Sequence, residues 1–247
     1  MTAAAHSPLE QFTVSPVLKL PELFGIDASI TNSSLFMLLS VLAVGLFFGY
    51  GMRKRAAIPG RFQSLAEVTY QFVDDIVREN VGHDGKRFFS IIFTVFLFVL
   101  FVNLLGLLPY SFSPTSHIIV TFGLAAFVFT GITIIAFIKK GPVGFFKHFI
   151  PEGLPIFIVP LIFLIELISF LSRPFSLGIR LAANMVAGHT LIKVIAGFVI
   201  PMGFMGVLPL AFIVLLNGME VFVCILQAYV FTLLSSIYLS EALSDHH

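Results

Sequence analysis

The sequence predicts an all-α polytopic membrane protein with about five membrane passages. Two of its helices should be long, strongly tilted and paired as a hairpin, and an amphipathic helix should lie on the cytoplasmic surface. Three observations carry this expectation. Of 247 residues, 58% are hydrophobic and 11% charged, with a mean hydropathy of +1.03, whereas roughly a quarter of a soluble domain is charged. Apolar runs of spanning length recur along the chain. Basic clusters close two of them, at Arg53, Lys54 and Arg55 and again at Lys139 and Lys140.

The first 34 residues form an external N-terminal segment. The opening about 30 lack a basic start followed by an apolar run, so no cleavable signal peptide is expected and targeting falls to the first span. That span covers 35–51, LFMLLSVLAVGLFFGYG, just reaching the lower limit of ~17 residues for a crossing. The basic cluster that follows it faces the cytoplasm by the positive-inside rule, which places the N-terminus outside. Residues 61–80 put Phe62, Leu65, Val68, Phe72 and Ile76 on one helical face, with Glu67, Asp74 and Arg78 off it. This reads as a helix lying on the membrane surface. The competing reading is an ordinary solvated linker helix.

Residues 88–138 form a helical hairpin, its first arm stopping at Pro109 and its second at Lys139 and Lys140. The segment 155–240 then holds two apolar stretches, about 155–199 and 207–240, separated by IPMGFMGVLP. As continuous helices these would extend roughly 50 to 65 Å, against a hydrocarbon core of ~30 Å. They must tilt strongly, bend, or both. No internal repeat or second domain is visible.

Composition also excludes function classes. A formal net charge of +1 offers nucleic acid no electrostatic footprint. The single Cys, Cys224, excludes an intramolecular disulfide and a cysteine-only metal cage, and reads as an inert core residue. No metal site and no cofactor is expected, and no catalytic residue. The 30 Phe and absent Trp suit lipid-facing helices, with Tyr left to anchor the interfaces.

The polar residues of the long hairpin carry the functional signal. Glu166, Arg173 and Arg180 recur every seven residues and drift only ~20° per step, so they share a face. Asn184 and Ala187 continue that face. His189, nine residues past Arg180, falls on roughly the opposite side at ~100° per residue. On the second helix Glu220 and Gln227 are again seven apart. An antiparallel turn near residues 203 to 205 places His189 level with Glu220 and Arg180 level with Gln227. The first pair then lies toward the external side and Glu166 toward the cytoplasm.

Arg180 is the residue that demands explanation. A guanidinium keeps its proton at any physiological pH, and its charge near the bilayer centre costs at least ~2.5 to 3.5 kcal/mol. No acid in the chain is dedicated to it, since Glu166 is ~20 Å away along the axis and Glu220 is at another depth. Its partner is expected in another protein. The other polar residues also admit structural readings: a hydrogen-bonded His189, ion pairs for Glu166 or Glu220, a Lys193 that snorkels to the interface, and lipid or structural contact for Arg173.

The segments FLSRPFSLGIRLAANMVAGH, EVFVCILQAYVFTLLSSIYL and NLLGLLPYSFSPTSH closely resemble subunit a of the membrane sector of F-type ATP synthases. The resemblance covers nearly the whole chain beyond the first about 30 residues. It implies a stationary partner for a rotating ring of c subunits, each with one membrane-embedded carboxylate. It further implies b-type peripheral stalk subunits, an F1 head engaged indirectly, membrane lipid around the chain, and a bacterial inner-membrane location with the C-terminus cytoplasmic.

By the same resemblance Arg180 matches the family's essential arginine, Asn184 its neighbouring amide, Gln227 the polar residue facing the arginine, and Glu166 an acid of the cytoplasmic half-channel. His189 and Glu220 match two positions of the external half-channel. Many bacterial members carry the acid first and the His second; here they are exchanged, as in the mitochondrial-like branch. Gly106 stands where some bacterial members have an acid, and no channel role is assigned to it. The implied rotor interface comprises Leu177, Arg180, Asn184 and Ala187, with Arg173, Ser176 and Asn103 as secondary candidates. A His and carboxylate pair suits proton relay, so the expected ion is H⁺.

The implied function is a stator with two offset aqueous half-channels and an essential arginine, performing no bond chemistry itself. The alternative is a self-contained proton-coupled secondary transporter. Such folds commonly show internal repeats and paired broken helices, and neither is visible. A haem-bearing subunit needs facing axial ligands, and His189 is the only His near mid-helix.

Overall fold

A computed structural model describes residues 12–19, 29–53, 59–108, 111–147, 149–150, 155 and 157–243. Lys54, Arg55 and Pro109 lie outside the described residues, as do 1–11 and 20–28 of the N-terminal segment. The chain is an all-α polytopic membrane protein, and among the described residues five helices are long and apolar enough to cross a membrane.

The described chain begins with a feature that hydropathy did not signal. Strand β1, Pro16–Leu18, pairs antiparallel with β2, Ile30–Thr31. Asn32 clasps the pair to the first helix: its Nδ2 donates to the Thr13 carbonyl at 3.0 Å, and its Oδ1 accepts from the Ser15 N–H at 3.2 Å. Thr31 then caps helix α1, Asn32–Gly51, in a reciprocal box with Ser34 that satisfies two otherwise orphaned N–H groups.

Helix α2, Arg61–Val81, starts after Gly60 and packs against α1, against α3 (Phe89–Gly106) and against α6 (Val207–Leu243). Its buried face is Ala66, Val73, Ile76 and Val77. Of the stripe read from the sequence only Ile76 belongs to that face, while Phe62, Leu65, Val68 and Phe72 are exposed. A helix whose small and β-branched side meets protein while its Phe and Leu side stays outward has the pattern of an interfacial helix.

A short 3-10 turn, Pro114–Ser116, links α3 to α4, Ile118–Lys147. Helix α4 breaks at Gly141, whose φ of 69° is followed by Pro142. The left-handed backbone there favours glycine, and the proline withholds an N–H from the ladder. Helix α5, Val159–Val199, runs 41 residues and returns through the turn Gly203–Gly206 into the 37-residue α6. At 1.5 Å per residue they extend roughly 60 and 55 Å. Pro174 interrupts the α5 ladder, at a place where a helix longer than a bilayer can bend.

The alternation of helices gives the molecule two ends. The end of α1, the start of α3, the end of α4 and the end of α6 gather at a basic end with Arg53, Lys86, Arg87, Lys139 and Lys140. The 203–206 turn and the start of α4 mark the opposite, turn end. The buried core joins Val73 and Val77 of α2, Phe96 and Val99 of α3, Leu177 and Leu181 of α5, and Phe231 and Leu239 of α6. It therefore sits around the basic half of α6, leaving the turn end of the α5–α6 hairpin with broad apolar exposure.

Candidate functional site

Arg180 stands at the midpoint of α5 and is exposed. Ser176, Ala183, Asn184 and Ala187 are exposed with it, whereas Pro174, Leu177, Gly178, Leu181, Ala182 and Met185 are buried against the bundle. The exposed stripe is short-chained, so a neighbouring helix can approach closely. Among the described residues Arg180 has no hydrogen-bond or ion-pair partner. Leu177 corrects one expectation: at 3% exposure it belongs to the core and not to the open face. It lies about 60° around α5 from Arg180, just past the border between stripe and core.

The α5–α6 register pairs side chains across the hairpin. Asn184 Nδ2 donates to Gln227 Oε1 at 3.0 Å, which leaves the Gln227 Nε2 buried and without a partner among the described residues. Gln227, expected opposite Arg180, thus bonds the amide one turn beyond it. Glu220 lies against Gly188: a Cβ built on Gly188 would come within 2.0 Å of Glu220 Oε1 and 2.9 Å of its Cδ. The absent side chain is the seat of the carboxylate. His189 follows at the same level, half-buried, with the Phe12 ring edge-on at a centroid distance of 6.4 Å.

The pair does not close on itself. Glu220 Oε2, His189 Nε2 and the Thr190 hydroxyl are all buried without a partner among the described residues. Two further cases lie toward the turn end: both amide atoms of Asn103, one turn from the end of α3, and Nε2 of His117, just before α4. Buried polar atoms are nearly always hydrogen-bonded, to protein or to ordered water. Such atoms on α3, just before α4, and on α5 and α6 suit ordered water.

The basic end is arranged differently. Arg173 donates through Nη1 to Glu241 Oε2 and lies over the rings of Tyr238, at 4.6 Å, and Phe170, at 5.7 Å. Lys140 Nζ donates to the Glu241 carbonyl at 2.8 Å, tying α4 into the same corner. Of the two readings open for Arg173, structural contact is the one this geometry displays. Glu166 is half-buried in the second turn of α5, ~20 Å from Arg180 along the axis. Glu241, Tyr238, Thr190 and His117 were not singled out from the sequence. Glu241 falls where the apolar run ends and resembles any solvated terminal charge. No group of three or more His, Cys, Asp or Glu able to hold a metal ion occurs among the described residues.

Residues 34–240 match the family described as ATP synthase A chain. ATP synthase subunit a of Wolbachia sp. subsp. Drosophila simulans (strain wRi) is 53% identical, over 96% of this chain and 99% of its own length. Those of Pelagibacter ubique (strain HTCC1062) and Rhodospirillum rubrum are 50% and 49% identical, each over 98% of this chain and 100% of its own length. With the family match spanning α1 to α6 and half of all residues shared with relatives of equal length, the chain belongs to the ATP synthase subunit a family.

Proposed function

We propose that this chain is the stator of a rotary proton-translocating ATP synthase, facing a ring of c subunits with Arg180 and supplying a half-channel to each side of the membrane. The observation that carries the reading is Arg180 itself, an exposed cation without a hydrogen-bond or ion-pair partner among the described residues, at the midpoint of a 41-residue apolar helix. A charge at that depth needs an anion, and the short side chains beside it leave room for a helix that brings one. The relatives' name, ATP synthase subunit a, supports the same reading. The self-contained transporter has no support among the relatives.

A ring carboxylate facing lipid must be protonated, because its charged form is too costly there. Opposite Arg180 the cation favours the ionised form. The ring therefore passes the stator only by releasing a proton. The buried unbonded atoms of Glu220, His189 and Thr190 lie toward the turn end from Arg180, with His189 opposite it on α5 and Thr190 and Gly188, the seat of Glu220, each about 80° around the helix. They serve as the entry path, with Asn103 and His117 extending it. Glu166 serves the exit path at the basic end, and Arg180 separates the two, having no proton to pass on. Each proton descending 100 mV releases ~2.3 kcal/mol, so several are required per ATP. The basic end is placed in the cytoplasm by the positive-inside rule, and the b-type stalk and F1 head complete the assembly.

Arg180→Ala tests the reading. The subunit should insert and assemble, because removing the charge relieves a desolvation cost. Synthesis and ATP-driven pumping should both fall to background, while passive proton flux in reconstituted vesicles persists or rises. Arg180→Lys should be nearly as damaging, since an ammonium in an apolar interface can shed its proton and a guanidinium cannot. Near-normal synthesis by a stoichiometric Arg180→Ala complex would sink the proposal.

A further inference from the structure

At the basic end, a cavity of about 470 Å³ opens between the start of α3 and the end of α4. Lys86, Arg87 and Lys139 line it together with Phe88, Ile138 and Leu243. Phe88 and Ile135 also line a second, narrower space of about 130 Å³. That slot runs along Ile92 and Val95 of α3 and Gly131 and Ile132 of α4, and is floored by Ser235 and Leu239 of α6. Apart from the shared Phe88 and Ile135, the slot residues lie one to three turns deeper in the membrane than the cavity residues on α4 and α6, and one to two turns past Phe88 on α3. The two spaces form one amphipathic groove, cationic where a bilayer has its headgroups and apolar where it has its tails.

We propose that this groove binds an anionic phospholipid of the leaflet at the basic end, with its phosphate among Lys86, Arg87 and Lys139 and one acyl chain in the slot beside Gly131. The charge complementarity is that of basic pockets between membrane helices, which hold anionic headgroups. The slot sets the shape of the occupant. A helix is about 10 to 12 Å across with its side chains, whereas a space of about 130 Å³ takes the first few methylene groups of one acyl chain and no such helix. Lipid held there would fill the gap between α3 and α4 over the buried Ser235 and Thr232 of α6. It would thereby brace the basic half of α6, the half in which the core is concentrated.

The test uses the intact, assembled ATP synthase, stripped of loosely held lipid in detergent and then offered a photoactivatable phosphatidylglycerol or the corresponding phosphatidylcholine. Cross-links should map to the α3 start and the α4 end of this chain with phosphatidylglycerol, be weak with phosphatidylcholine, and survive excess inorganic phosphate. Lys86→Gln with Arg87→Gln should lower the cross-linked yield by about tenfold. Gly131→Leu should lower it comparably without touching a charge, because a Cβ at Gly131 meets nothing within 4 Å and a longer side chain there enters the slot. Wild-type yield in either variant overturns the proposal. So does equal labelling by the two lipids, or a cross-linker at Ile135 that captures a neighbouring subunit instead of lipid.

Discussion

At the basic end of the α5–α6 hairpin, Arg173 is bonded to Glu241 and stacked on Tyr238, with Lys140 reaching the Glu241 carbonyl. Toward the turn end, Glu220, His189 and Thr190 each keep a buried polar atom with no partner among the described residues. Both groups sit in helices of similar apolar character, so composition does not separate them. Their completeness does. A charge whose hydrogen bonds are met within the chain is finished business, fixing one helix to the next. Polar atoms that are buried and unmet are the places where ordered water fits, and the proposed proton entry rests on them. Arg180 is a third case, exposed and without a hydrogen-bond or ion-pair partner among the described residues.

The largest effect that sharpens this contrast is expected at Gly188. Gly188→Ala puts a methyl where Glu220 Oε1 now lies, so the carboxylate must swing away while the helix pair remains in place. A misplacement of about 1 Å in a reacting group can cost on the order of a hundredfold. Proton-driven ATP synthesis should fall ten- to a hundredfold by that reasoning, in complexes that assemble normally. Shortening the acid, Gly188→Ala with Glu220→Asp, should recover part of the loss because the smaller side chain clears the new methyl. Synthesis rates in inverted vesicles make the comparison. If Gly188→Ala alone runs at the wild-type rate, the seat of the carboxylate has no functional weight.

An intermediate effect, of a different kind, is expected at the other end. Arg173→Ala removes the tie to Glu241 and the ring contacts of the guanidinium. The Glu241 side chain is 39% exposed, so solvent screens the ion pair and its contribution is about 1 kcal/mol or less. The stacking on Tyr238 adds roughly 0.5 to 1 kcal/mol. The complex should lose thermal stability by a few degrees, as expected for ~1 to 2 kcal/mol in a mid-sized domain, with synthesis per assembled complex nearly unchanged. Thermal shift and turnover measured on one preparation separate the two. A large loss of turnover at unchanged stability would move Arg173 from the structural group into the proton path.

How much of this was legible in the sequence follows from which forces act locally. The spans, the hairpin turn and the two-sided character of α5 were readable, because hydropathy, basic clusters and a helical repeat of 3.6 residues are properties of short segments. The depth of Glu220 relative to His189 was readable because antiparallel helices rise at equal rates, and Glu220 does lie against Gly188. Contacts that depend on side-chain length or on the edge of a stripe were not. Arg173 reaches Glu241 across the hairpin because guanidinium and carboxylate are both long. Leu177 lies one step past the border of the exposed face and is buried. The β1–β2 pair rests on a clasp by Asn32 that no periodicity announces. Nor does any pattern announce a cationic cavity assembled from α3, α4 and α6.

The smallest expected effect is the finest test of the contrast, and it concerns Thr190. Its hydroxyl is buried without a partner among the described residues, in the residue following His189. Thr190→Val keeps the shape and deletes only the hydroxyl. If the site were dry, the wild-type hydroxyl would carry an unmet desolvation cost, and its removal would leave proton flux unchanged while raising stability by about 1 kcal/mol or more. If water occupies the site, the hydroxyl holds that water in line with His189 and Glu220. The variant should then gain no stability, and proton-driven synthesis should slow by roughly two- to fivefold, the loss expected for one modest hydrogen bond. The solvent isotope effect on synthesis should rise with the slowing, because proton entry would limit turnover more strongly. A more stable Thr190→Val complex with unchanged flux would show that the atoms left unmet at the turn end do not mark a proton path, and the contrast between the two ends would lose its functional meaning.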